Sequence, residues 1–229
     1  MDKKKEEIKK KAKGITLGLL TAIIFFLLTV FLFWYITDVI VIEQQGSFDN
    51  SIFKILSQYT SPATTRVMLI FTFFGSTKFL LPAYILLAGF YLFYRRNKLQ
   101  SISVAAVGLS SIALLFILKN IFHRHRPLQP LTQNVIGYSY PSGHSFSSFT
   151  FFGLLTYIIW KTNLSKFWKW ILSVIFILIA ASIALSRIYL HVHFASDVIA
   201  GLCLSFIWLT ISLWILTEIG KKFFRKEEK

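Results

Sequence analysis

Residues 14–37 form a run of 24 residues without a single charge, built mostly from Leu, Ile, Phe and Thr. At 1.5 Å per residue a helix of that length reaches about 36 Å, enough to cross the roughly 30 Å hydrocarbon core of a bilayer with some tilt. Uncharged, mostly apolar runs recur at 79–94, 101–118, 146–160, 170–186 and 198–217. A backbone surrounded by lipid must satisfy its own N–H and C=O groups, so each run is expected to be a helix. The pattern predicts an all-α polytopic membrane helix bundle with six transmembrane helices. The run 146–160 is the shortest, at about 22 Å, and is expected to be sheltered by its neighbours or extended past a snorkelling Lys161. A cleaved signal peptide would also pair a Lys-rich start with an apolar run. Here the run is too long and no small-residue cleavage site follows Tyr35, so an uncut anchor is expected.

Composition agrees. The chain of 229 residues is 55% hydrophobic, 17% aromatic and only 15% charged, against about 25% charged in soluble domains. With 24 Phe, 6 Trp and one Cys it is neither disordered, collagen-like nor a disulfide scaffold. The lone Cys203 sits inside an apolar run and has no intramolecular partner. One six-span domain over 14–220 is expected, between a basic N-terminus at 1–13 and a basic tail at 221–229. Between the first two spans, Phe48, Ile52, Ile55, Leu56 and Tyr59 recur at helical spacing, giving an amphipathic segment that either lies in the membrane interface or simply connects. The apolar stretch 67–77 ends in Gly75-Ser76 and is too short to cross alone, so a re-entrant or packed half-helix is expected there.

The chain carries 25 Lys and Arg against 10 Asp and Glu, a net charge of +15. In a soluble protein that excess would suggest nucleic acid. Position argues otherwise, because 18 of the 25 cations fall in four clusters, at 3–13, 95–98, 161–169 and 221–229. If the N-terminus is cytoplasmic, six spans bring all four clusters to the cytoplasmic side, as the orientation rule for positive charge demands. Topology and anionic lipid account for the charge, and no nucleic acid is expected. The short Lys-rich ends and the absence of a soluble domain suggest a bacterial plasma membrane.

Seven cations break that rule: Lys54, Arg66, Lys78, Lys119, Arg124, Arg126 and Arg187. Cations at the outer ends of spans are costly and call for an anionic partner. Lys119 and Arg126 are seven residues apart, two helical turns, although Pro127 pushes Arg126 towards extended backbone. With Arg187 they make three positive charges, which suits a terminal phosphate or diphosphate. Pro141-Ser142-Gly143-His144 precedes an apolar helix, where free N–H groups can face an anion. His193 and Asp197 are spaced i, i+4, which sets an imidazole and a carboxylate on one helix face. The carboxylate can take the Nδ1 proton and leave Nε2 free as nucleophile or base, with His144 available as general acid. His123, Arg124, His125 and His191 fall outside this pattern and are expected in solvent or behind the site.

Lys119-x6-Arg126-Pro127, Pro141-Ser142-Gly143-His144 and Ser186-Arg187-x5-His193-x3-Asp197 together resemble the three-part signature of the type 2 phosphatidic acid phosphatase family, complete and in order. The resemblance implies a metal-independent lipid phosphatase working through a phosphohistidine. It implies that His193 attacks phosphorus, that Asp197 holds its tautomer, and that His144 protonates the leaving group and then activates water. Lys119, Arg126, Arg187, the Ser142 hydroxyl and N–H groups near Gly143 would hold the equatorial oxygens. No metal or cofactor is implied.

The same residues bear on other chemistries. His123/His125 and His191/His193 form two His-x-His pairs, but their surroundings offer Lys and Arg where a cation site wants carboxylates. A polytopic transporter or scaffold would fit the hydrophobicity and leave the three motifs unexplained. A lipid phosphotransferase would share the site. The substrate is expected to be a membrane lipid phosphate or diphosphate, of the phosphatidylglycerophosphate, phosphatidic acid, undecaprenyl diphosphate or other prenyl diphosphate class. Its headgroup would lie on the extracytoplasmic side, with residues 46–78 and the lipid-facing helix sides setting the choice of tail.

Overall fold

The computed structural model describes residues 2–42, 46–133 and 135–227. The side chains of the basic clusters at 3–13 and beyond 221, on which the orientation expectation leans, lie outside the described residues. The described chain is all-helical, 80% helix with no strands. Its α-helices are α1 (Asp2–Tyr35), α2 (Ser47–Ser57), α3 (Pro62–Phe74), α4 (Thr77–Gly89), α5 (Lys98–Phe122), α6 (Gly143–Trp160), α7 (Lys166–Tyr189) and α8 (Ala195–Glu227). α1 and α4 each continue into a π-helical stretch, Ile36–Ile42 and Phe90–Tyr94.

Local chemistry sets several of the starts. The Ser61 side chain accepts from the Thr64 N–H at 3.2 Å and Pro62 opens α3, where its missing N–H costs nothing. The Asn97 side chain accepts from the Gln100 N–H at 2.9 Å to start α5. His123, in the left-handed region at φ 47°, ends it.

Five stretches among the described residues are long and apolar enough to cross a membrane: Gly18–Val41, Pro62–Tyr94, Lys98–Phe122, Lys166–Tyr189 and Ala195–Lys221. The expected sixth run is α6, of 18 residues, which carries His144, Ser145, Ser147, Ser148 and Thr150 near its start and is not among these five. α6 occupies the centre. Phe151 and Phe152 pack with Leu80 of α4 and Ala180 and Ile183 of α7. On another side Leu154 and Ile158 meet Val104 and Val107 of α5, with Leu209 and Leu213 of α8 alongside. Small residues bring α8 close, as between helices in lipid. A Cβ on Gly201 would lie 2.9 Å from the Ser142 carbonyl oxygen, and Thr150 donates to Ser205 at 3.3 Å. Leu86, Leu109, Phe116 and Trp214 are exposed on the outside, an apolar surface that suits lipid rather than water.

The segment between the first two spans is two helices. α2 turns Ile52, Phe53 and Leu56 onto Ala184, Ile188, Ala195 and Val198, while Phe48 and Ile55 remain exposed. The apolar stretch 67–77 falls in α3 and the Gly75-Ser76 break that follows it. α3 lies across the end of α7: the Tyr189 hydroxyl receives the Ser61 N–H at 3.2 Å, and Gly75 sits against Ile183 and His144. A Cβ at Gly75 would stand 3.1 Å from His144 Cδ2, so the break needs glycine for close approach.

Candidate active site

Four of the seven cations that break the orientation pattern, Lys119, Arg124, Arg126 and Arg187, gather where several helices end, while Lys54, Arg66 and Lys78 are exposed elsewhere. Lys119 closes α5, His144 opens α6, Arg187 closes α7, and Arg126 and His193 come from the loops that follow α5 and α7. Lys119, Arg126, Gly143, His144, Arg187 and His193 line one cavity of about 410 Å³. Its remaining wall is mostly apolar, with Leu80, Leu81, Tyr84 and Ile85 from α4 and Leu109, Ile112 and Leu115 from α5. Leu81, Ile85, Leu109 and Ile112 are exposed on the bundle's flank as well, so the cavity reaches the lipid-facing surface.

The cations also fold the loop over this cavity. Lys119 Nζ donates to the Tyr138 carbonyl at 2.6 Å, Arg126 Nε to the Gly137 carbonyl at 2.8 Å, and Arg126 Nη1 to the Val192 carbonyl at 2.8 Å. Ser139 N–H donates to the Arg124 carbonyl at 2.8 Å, and Ser142 N–H to the Asp197 carbonyl at 3.0 Å. Arg187 is 8% exposed; its Nη1 donates to the Thr72 hydroxyl, and its Nε is buried with no acceptor. A buried guanidinium N–H without a partner is a costly arrangement that an anion in the cavity would relieve.

His193 is 1% exposed. Its Nε2 lies 3.3 Å from Arg126 Nη1 and its Nδ1 lies 3.5 Å from Asp197 Oδ2. A guanidinium can only donate, so Nε2 carries the lone pair and the proton resides on Nδ1, facing the carboxylate. Burial, reinforced by the charges of Arg126, Arg187 and Lys119, holds the His193 pKa well below the ordinary 6.5. The ring is therefore a neutral imidazole with Nε2 free of a proton.

Three details differ from the sequence expectation. His193 and Asp197 do not share a helix face, because α8 begins at Ala195; they meet across its N-terminus. The N–H groups of Val192 and His193 both turn back to the Arg187 carbonyl at 3.2 Å, with His191 at φ 53° making the bend. Asp197 Oδ2 accepts the Phe194 N–H at 2.9 Å, so the same carboxylate caps α8. Lys119 and Arg126 likewise do not share a helix, since α5 stops at Phe122. The Ser142 hydroxyl is fully buried, lies 2.9 Å from the Ser145 hydroxyl and accepts the Ser145 N–H at 3.5 Å. It caps α6 and does not line the cavity.

The residues set aside in the sequence divide. The His123 ring meets Tyr138 at 4.6 Å and His191 meets Phe53 at 4.8 Å. Among the described residues no three His, Cys, Asp or Glu side chains gather as metal ligands. Arg124 is different. It lies behind the site, donating from Nη1 to Asp197 at 2.6 Å and from Nη2 to Asp49 at 2.9 Å. Asp49 and Thr72 were not singled out by their sequence context, and their partners lie more than a hundred positions away or across other elements.

Residues 100–221 match the model of the PAP2 superfamily, more than half of the chain. The chain is 32% identical over 161 residues to phosphatidylglycerophosphatase B of Bacillus subtilis (strain 168), covering 69% of this chain and 78% of that relative. It is 29% identical over 180 residues to undecaprenyl-diphosphatase of Sulfolobus acidocaldarius, covering 76% and 77%. The crystal structure of the transmembrane PAP2 type phosphatidylglycerolphosphate phosphatase from Bacillus subtilis superposes with a TM-score of 0.75 at 27% identity, covering 86% of this chain and 96% of that one. Fold, site and sequence thus converge on one class of membrane phosphatase. The chain belongs to the PAP2 superfamily.

Proposed function

We propose that the protein hydrolyses a membrane lipid phosphate or diphosphate without a metal ion, through a phosphohistidine on His193. The observation that carries this reading is the single cavity with cations and two imidazoles at one end and apolar walls reaching the lipid-facing flank at the other. Such a shape suits an anionic headgroup joined to a hydrocarbon tail. Relatives named for phosphatidylglycerophosphate and undecaprenyl diphosphate support the same class.

In this mechanism Lys119, Arg126 and Arg187 hold the equatorial phosphate oxygens, with the N–H groups at Gly143 and the start of α6 facing them. The entering phosphate takes Arg126 Nη1 away from His193, which leaves the Nε2 lone pair free to attack phosphorus in line with the leaving oxygen. Asp197 steadies the imidazolium that forms. His144 gives its proton to the leaving oxygen, then takes one from the water that cleaves the P–N bond. Phosphoryl transfer needs chiefly positioning and stabilised charge, which this set supplies. The Ser142 hydroxyl contributes by fixing the start of α6.

We further infer that α6 crosses the membrane as a sixth span, its polar first turns sheltered by α7 and α8. The termini then lie in the cytoplasm and the cavity faces the extracytoplasmic side of the plasma membrane. The test is phosphate release by purified protein from phosphatidylglycerophosphate, phosphatidic acid and undecaprenyl diphosphate. Release that persists in EDTA, stops with vanadate and is lost in His193→Ala supports the reading. Release that EDTA abolishes, or that survives His193→Ala, removes it.

A further inference from the structure

Asp197 is fully buried and Asp49, on α2, is 1% exposed. Two such carboxylates are costly unless paired. A single guanidinium serves both: Arg124 gives Nη1 to Asp197 Oδ1 at 2.6 Å and Nη2 to Asp49 Oδ2 at 2.9 Å. Arg124 Nη1 also reaches the Ser196 hydroxyl at 2.8 Å, and the guanidinium carbon sits 4.2 Å above the Phe194 ring. Asp49 is fixed from its far side, where its Oδ1 accepts the Ser196 N–H at 2.9 Å and its Oδ2 the Ser196 hydroxyl at 2.6 Å. Asp49 thereby caps the N-terminus of α8 from another helix. A chain of hydrogen bonds runs from Asp49 on α2 through Arg124 to Asp197, whose Oδ2 stands 3.5 Å from Nδ1 of His193. Neither Asp49 nor Arg124 lines the cavity.

We infer that Arg124, anchored by Asp49, is a positioning residue for the reaction: its fork fixes the Asp197 carboxylate that in turn keeps the His193 proton on Nδ1. The inference rests on the proposed roles of His193 and Asp197 and adds to them. Oδ1 of Asp197 accepts from Arg124 and Oδ2 from the Phe194 N–H, and these two bonds set the carboxylate with Oδ2 3.5 Å from Nδ1 of His193. Without Arg124 the carboxylate can rotate about its last bond and turns more basic, so it competes for the imidazole proton rather than orienting it. Other charges near His193 are Arg126, Arg187 and Lys119, all on the cavity side, and none of them bonds to Asp197. The planar fork is needed because two carboxylates on different elements are held at once, which one ammonium does less well. The link also ties α2, with Phe48 and Ile55 exposed on its other side, to the group that orients the nucleophile.

The test uses Arg124→Gln, Arg124→Lys and the double variant Arg124→Gln/Asp49→Asn in the full chain. The double variant removes the unpaired charge at 49 and so separates folding from positioning. Two readouts are taken: kcat and KM on whichever lipid phosphate the unchanged enzyme hydrolyses fastest, and nitrogen-15 NMR of the His193 ring. The expected result is a kcat lower by about 10-fold to 100-fold, less than the roughly 10⁴-fold seen elsewhere when the orienting carboxylate itself is lost. KM should change by no more than about twofold, because an unaltered cavity binds substrate as before. Arg124→Lys should recover part of kcat. The double variant should fold like the parent yet keep the low kcat, with ring-nitrogen shifts that report a loss of the pure Nδ1–H form. Recovery of the parent kcat in the double variant, or ring signals unchanged by Arg124→Gln, would overturn the inference. If the unchanged enzyme hydrolyses none of the lipids, the functional reading fails while the ring spectra still decide whether Arg124 sets the tautomer.

Discussion

His193 shows how a residue's surroundings decide its chemistry. Burial and three nearby cations oppose protonation, so the ring stays neutral as pH falls through 6.5. The acidic limb of kcat/KM, which reports the free enzyme, is therefore expected below pH 6.5; a limb centred at or above that value would contradict the assignment. Asp197→Asn keeps the size of the side chain and the cap on α8 but offers Nδ1 a different partner. A kcat reduced by about 10²-fold to 10⁴-fold, with the protein still folded by thermal melting, is the expected outcome. The residues that touch the cavity were legible in the sequence because their chemistry is local and type-specific: cations where topology disfavours them, and an imidazole four residues from a carboxylate. The Ser142 hydroxyl, expected at the phosphate, lies in the cap of α6, a place the same residue type serves equally. Arg124 was unreadable as a bridge, since nothing near it marks Asp49 as its partner 75 positions earlier.

At the scale of helices, five spans were legible and their ends were not. Uncharged runs mark where lipid is, whereas helices continue through charges: α3 includes Arg66, α5 runs from Lys98 past Lys119, and α7 ends beyond Arg187. The stretch 67–77 read as a fragment because Arg66 and Lys78 bound it, while the Ser61-Pro62 cap starts the helix five residues sooner. α6 is the converse case. Its serines, threonines and histidine interrupt the apolar run, and it is not among the five stretches that could cross alone, yet it is the one the others surround. Its fit against α8 depends on Gly201, where a Cβ would press 2.9 Å from the Ser142 carbonyl and 3.3 Å from the Phe146 nitrogen, both backbone atoms that cannot swing aside. Gly201→Ala is expected to destabilise the protein by about 1–3 kcal/mol and to lower activity by displacing the turn that carries His144. Melting and turnover indistinguishable from the parent would contradict that packing account.

Across the whole molecule, basic clusters and the cavity-lining cations divide between opposite ends of the bundle. Residues 95–98 and 161–169 lie at one end, with Lys119, Arg126, Arg187 and His193 at the other. The proposed orientation follows from that division. Cys203, the single cysteine, is 6% exposed, so a newly introduced thiol can be read against a quiet background. Leu128, 89% exposed on the loop after α5, and Asn163, on the exposed loop between α6 and α7, lie at the two ends. In intact cells a membrane-impermeant maleimide is expected to label Leu128→Cys, and to label Asn163→Cys only after permeabilisation. The reverse pattern would invert the topology, and equal labelling of both would put α6 outside the membrane.

The most direct measurement is to capture the covalent intermediate. Substrate lipid carrying a radiolabelled terminal phosphate is mixed with the enzyme, quenched in alkali within a turnover, and the labelled peptide mapped. A base-stable, acid-labile phosphoryl group on His193, absent from His193→Ala, is the expected result. Turnover with no label on the protein, or label on any other residue, would contradict it.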